Sequence, residues 1–138
     1  MKKQLFALVG LGLLLATVSA YAQTRMVTAN IPFNFAVGRT SLPAGAYTIR
    51  SLGLSSRVIA IQNPDRNLTN VVLPLPCIST EAQERTKLVF HRYGDQYFLA
   101  QIWTAGNDMG NELPKSGRET EVATDNPAHN VVVVATLR

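Results

Sequence analysis

The sequence predicts an all-β fold: a small antiparallel β-sandwich or partly open barrel of about seven strands, behind a cleavable N-terminal signal peptide. Three observations carry that expectation. Apolar residues recur at every second position, which lays them along one side of a strand and not along one stripe of a helix. Pro, Gly, Asn and Asp gather between those runs, where turns need a fixed or positive φ. Helix signals reduce to two short polar segments.

The leader comes first. Met1-Lys2-Lys3 is a basic start, Leu5 to Val18 is an uncharged apolar run, and Ala20-Tyr21-Ala22 places small residues where a signal peptidase reads them, before Gln23. That is the layout of a secretory signal. It divides the chain into a signal peptide, 1–22, and a single domain, 23–138. The apolar run is 14 residues, short of the roughly 20 that a spanning helix needs. No Cys follows the cut, which argues against a lipid anchor, and no integral membrane segment is expected in the mature chain. The expected address is exported, either periplasmic or extracellular. The remaining 116 residues (138 less 22) suit one core.

Cleavage also changes the charge. Lys2 and Lys3 leave with the signal, so the 13 basic residues become 11 against 9 acidic ones. These are scattered, without a Lys/Arg run to track a phosphate backbone, so nucleic acid is not an expected partner. Cys77 has no partner within the chain. It reads as a small buried hydrophobe, with a bridge between chains as the alternative; nothing basic in Leu73–Thr80 lowers its pKa.

The elements follow in order. Val27, Ala29, Ile31, Phe33, Phe35 and Val37 alternate strictly, predicting one strand from 27 to 37 with Pro32 on its opposite side, hence an edge or a bulge there. Ser41-Leu42-Pro43-Ala44-Gly45 is a corner, and a strand resumes over Ala46–Ser51. Further strands are expected at Arg57–Gln62 and Thr69–Leu75, joined by the turn Asn63–Asn67, with Pro74 and Pro76 ending the second. Thr80 and Gln83 can cap a single helical turn. Lys87 to Trp103 is a hairpin about Gly94-Asp95, a type II′ turn with Gly first. That turn sets Arg92 against Tyr97, His91 against Phe98, Phe90 by Leu99, Val89 against Ala100 and Leu88 by Gln101. Residues 104–130 form a long loop holding a short helix from the capping box Ser116-x-x-Glu119 to Ala123, and a strand from Val131 to Leu137 closes the chain.

The strings IPFNFAVG, LPAGAYTI, LVFHRYGDQYFLAQIW and ELPKSGRE, spread over residues 27 to 121, resemble a group of small exported bacterial proteins frequent in soil acidobacteria. The resemblance implies a secreted, mainly β domain. It brings no activity and no site residues.

Chemistry is sparse. His91 and His129 are the two histidines, too few for a zinc site without further ligands, and no metal or cofactor is expected. His91 reads as an imidazole packed on Phe98 with a satisfied nitrogen, and His129 as an exposed loop residue. There is no G-x-S-x-G elbow, Ser116 serves better as a cap, and Cys77 with His91 is a weak nucleophile–base pairing. Asp108, Glu112, Glu119 and Glu121 read as solvated loop carboxylates. No catalytic residues are assigned, and the protein is not expected to be an enzyme. What stands out is aromatic density: Phe90, Tyr93, Tyr97, Phe98 and Trp103, five of the eight aromatics beyond the signal, fall within 14 residues. They read as a core hairpin. Alternatively, Tyr97 and Trp103 offer rings and Arg92 a donor to a protein, peptide or glycan partner. The function expected is a non-enzymatic binding or structural role at the cell envelope; the alternatives are a small secreted hydrolase-like enzyme and a self-assembling envelope protein.

Overall fold

The computed structural model describes residues 26–52 and 58–138. The signal peptide, its cleavage residues Ala20, Ala22 and Gln23, and Arg57 lie outside them. In chain order the strands are β1 (Met26–Ile31), β2 (Phe35–Val37), β3 (Thr40–Leu42), β4 (Gly45–Leu52), β5 (Val58–Asn63) and β6 (Leu68–Val72). They continue with β7 (Leu75–Ile78), β8 (Lys87–Tyr93), β9 (Gln96–Trp103) and β10 (Met109–Glu112). After the helix α1 (Gly117–Asp125) come β11 (His129–Val134) and β12 (Thr136–Leu137). One sheet runs β12-β1-β4-β5-β6 and the other β11-β8-β9-β10-β7, with β2 parallel to β9 at Ala36 and Phe98 and β3 beyond β2. Neither sheet closes on itself, so of the two expected architectures the open sandwich is the one formed.

The expected strand from 27 to 37 is two strands in two sheets. β1 pairs with β4, whereas β2 pairs with β3 and β9. Pro32, exposed between them, lacks the N–H that a continuous ladder would need. Asn34 holds the crossing by accepting a hydrogen bond from Ala44 N–H at 2.9 Å, which ties it to the Pro43–Gly45 corner. Alternation survives the crossing because both sheets turn inward onto one core: Val27, Ala29 and Ile31 from one side, Phe35 and Val37 from the other. Tyr47, 2 % exposed, closes the corner by donating its hydroxyl to Pro43 C=O at 2.6 Å.

The hairpin turn forms as expected, with Gly94 at φ +60 and no positive φ at Asp95. Its register follows the expected pairing from Tyr93–Gln96 as far as Phe90–Leu99, then slips by one at a β-bulge. Val89 meets Gln101 and Leu88 meets Ile102, not Ala100 and Gln101. The slip has a physical reason. An unbroken register would have turned Gln101 into the core opposite Leu88; one extra residue puts Ile102 there instead, 3 % exposed.

Two further expectations give way. Leu75–Ile78 is not a strand end but β7, paired with the unforeseen β10 across Met109–Ile78 to Glu112–Leu75. Pro76 is tolerated because β7 is the edge of its sheet. The segment 79–86 contains no helical turn, since its donors are used elsewhere. Ser79 N–H bonds Asp108 C=O and Gln83 N–H bonds Asn107 C=O.

Candidate functional site

α1 begins where its cap predicts. Ser116 Oγ accepts from Glu119 N–H at 3.2 Å, but the capping box is only half made. The Glu119 side chain turns instead into the sheet and is 3 % exposed, not solvated. Its Oε1 stands 3.5 Å from His91 Nδ1, an ion-pair approach without a hydrogen bond. Glu119 Oε2, His91 Nδ1 and the Tyr93 hydroxyl are all buried with no hydrogen-bond partner. His91 is therefore opposite Phe98 in register, as expected, but its inward nitrogen is not satisfied. Burial, with the Glu119 carboxylate adding to it, pushes the Tyr93 phenol above the ordinary tyrosine value. Val122 and Ala123 of α1 complete this layer against Ala36, Tyr93 and Phe98.

The opposite side of the same hairpin builds a different place. Arg92 lies between Tyr97 of β9 and His129 of β11, its in-register neighbours. Phe33 stacks on Tyr97 with ring centroids 3.9 Å apart and planes 15° from parallel. The Arg92 guanidinium also sits over the Tyr97 ring, 5.6 Å from its centroid. Arg92 Nε donates to Gly94 C=O at 2.8 Å, leaving both terminal nitrogens unbonded within the described residues. No carboxylate lies within ion-pair distance of Arg92 among those residues. Beside the guanidinium opens a cleft of about 590 Å³ between the β8–β9 turn and the start of β11, lined by Arg92, Gly94, Asn126, Pro127, His129 and Asn130. His129, placed by the sequence in a loop, is the first residue of β11 and exposed.

Trp103 does not join Arg92 and Tyr97. It is 6 % exposed at the far end of β9, donates Nε1–H to Gln101 Oε1 at 3.0 Å, and is covered by β10. A Cβ on Gly110 would stand 2.6 Å from its ring. That glycine in an unrecognised strand is what buries the indole.

Cys77 is half-buried on β7. β9 and β10 lie between β7 and β8, so three strand spacings, about 14 Å, separate it from His91. The nucleophile–base pairing is not formed. Burial and the Glu112 carboxylate raise its thiol pKa, against a smaller lowering by the Gly110 backbone. No group of three or more His, Cys, Asp or Glu side chains suited to a metal occurs among the described residues.

Comparison with known proteins leaves this geometry to stand alone: no protein-family model, no curated protein and no solved structure matches the chain.

Proposed function

We propose that the protein is an exported, non-enzymatic binding domain of the cell envelope, and that its binding surface is the Arg92–Tyr97 end of the sandwich. The single observation that supports this most is the guanidinium at that end. It is held by Gly94 and Tyr97, faces an open cleft and has no carboxylate within ion-pair distance among the described residues. An ordinary surface arginine spends its rotamer freedom in solvent; one fixed in advance loses less on binding. The export half of the reading rests on residues 1–23 and on the resemblance to small exported bacterial proteins. No helix among the described residues is long and apolar enough to cross a membrane. Trp103 drops out of the proposed surface because it is buried.

The test is a pull-down from native envelope and spent medium with the wild-type protein and Arg92→Ala. A partner enriched by the first and lost with the second supports the reading. Equal enrichment, or none, removes it. Fractionation of expressing cells checks export: a shortened chain beginning at Gln23 outside the cytoplasm is expected.

A small secreted hydrolase is the second reading, favoured by the buried Glu119 carboxylate that stands 3.5 Å from His91 Nδ1. Cys77, the nucleophile that the sequence offered for it, is three strands away. Ester hydrolysis by the purified protein that disappears in His91→Asn would raise it above the first.

A further inference from the structure

We propose that the cleft beside Arg92 binds a carboxylate-bearing sugar, with the Arg92 guanidinium clamping the carboxylate. The inference rests on the binding-domain reading above and names the ligand's chemistry.

The argument begins with which nitrogens are free. Nε is committed to Gly94 C=O, so the two terminal nitrogens are the donors left, side by side in one plane. A planar carboxylate matches that fork with two parallel hydrogen bonds, and the charge makes each stronger than a neutral one. The plane is also fixed. The guanidinium sits over the Tyr97 ring, which Phe33 stacks upon in turn, and with the Gly94 hydrogen bond this positions the fork before any ligand arrives. Tyr97, stacked on Phe33 and lying under the guanidinium, is therefore a positioning residue.

The rest of the lining sets the ligand class. It contains no Asp or Glu, so nothing in the cleft competes for the cation or repels an anion. His129, directly across from Arg92 in the β8–β11 register, adds a second nitrogen donor or acceptor. Asn126 donates its amide to Val122 C=O at 3.1 Å, which leaves its carbonyl oxygen as an acceptor, and Asn130 brings a second amide. Two amides and an imidazole suit the mixed donor and acceptor pattern of hydroxyl groups. Pro127 supplies an apolar surface for the C–H side of a sugar ring. A simple carboxylic acid would use Arg92 and leave the other three polar side chains idle.

Isothermal titration of the purified protein with trigalacturonate, neutral galactotriose, and acetate or succinate separates the possibilities. Trigalacturonate is expected to bind about tenfold or more tightly than galactotriose, given the strength of a charge-assisted pair. Its affinity should fall with added salt. Arg92→Lys keeps the charge but not the fork, and is expected to lose most of that preference; Arg92→Gln is expected to lose all of it. Arg92 is exposed, so an unchanged thermal midpoint confirms that either variant is folded. Acetate or succinate binding as tightly as trigalacturonate overturns the sugar. Equal binding of the acidic and neutral trisaccharides, no binding of any probe, or an Arg92→Gln variant that binds normally overturns the carboxylate clamp. The last results leave the binding-domain reading in place as long as the envelope pull-down still enriches an Arg92-dependent partner.

Discussion

Tyr93 and Cys77 each carry a polar atom whose environment disfavours its ionised form, and each makes a prediction at its own scale. The Tyr93 hydroxyl is buried without a partner, a burial that costs about 1–3 kcal/mol when uncompensated. Tyr93→Phe keeps the ring against Phe98 and removes that cost, so urea denaturation at neutral pH should show unchanged or raised stability. A lowered midpoint would mean that the hydroxyl has a partner after all. The pH dependence has a definite sign. Because the folded-state pKa of Tyr93 is raised, its contribution is fully present below the ordinary tyrosine value of about 10 and is lost as pH rises through the folded value. Tyr93→Phe should therefore flatten the alkaline limb of the stability profile. At Cys77 the raised pKa keeps the thiol protonated at neutral pH. Labelling by a chromogenic disulfide is expected to run slower than for an unfolded control, and Glu112→Gln should speed it by removing the nearby negative charge. Labelling at the unfolded rate in the wild type would contradict the described environment.

At the scale of the element, α1 depends on what it covers. Its nine residues are too few to hold a helix alone in water. It persists because Ser116 caps its start and because Glu119, Val122 and Ala123 lie on the sheet. Ser116→Ala is expected to cost about 1 kcal/mol. Hydrogen exchange should show the loss in 117–125 first, with β8 and β9 protected as before; uniform loss across the sheet would refute a locally anchored helix. The sequence made the cap legible because Ser116 and Glu119 sit at the spacing that a capping box needs. It could not reveal that Glu119 would abandon the box, since the competing partner, His91, is 28 positions away and meets it only after the sheet forms. β10 was illegible for a related reason. Met109–Glu112 has almost no apolar alternation, and the segment is a strand only because β9 and β7 offer hydrogen-bonding edges on both sides.

For the whole molecule, the two sheets share one core, in which Leu88, Phe90 and Leu99 meet Ile49, Ile59 and Ile61. Phe90 is fully buried and touches Phe33 and Phe35 edge to face at 4.9 and 5.5 Å. Phe90→Ala is expected to remove about 3–5 kcal/mol. Fluorescence of Trp103, on the second sheet, and far-ultraviolet circular dichroism of both sheets should lose structure together on denaturant titration. Two separated transitions would show that the sheets are not one cooperative unit. The outer margin is less guarded. Leu73, Leu75, Ile78 and Met109 are exposed around the β7 edge, where Pro74 and Pro76 withhold two backbone donors from any strand that might add there.

Local patterns determined a great deal by themselves: the all-β class, the Pro43–Gly45 corner, the Gly94-Asp95 turn and the Ser116 cap. Each depends on residues a few positions apart, whose steric and hydrogen-bonding preferences act before the chain has a shape. Tertiary structure alone decided that one alternating run would cross at Pro32 between two sheets, that a bulge would exchange Gln101 for Ile102 in the core, and that Gly110 would bury Trp103. It also brought His129 beside Arg92. Those outcomes compare alternatives whose periodicity is the same, and only the volume to be filled and the edges left unpaired tell them apart.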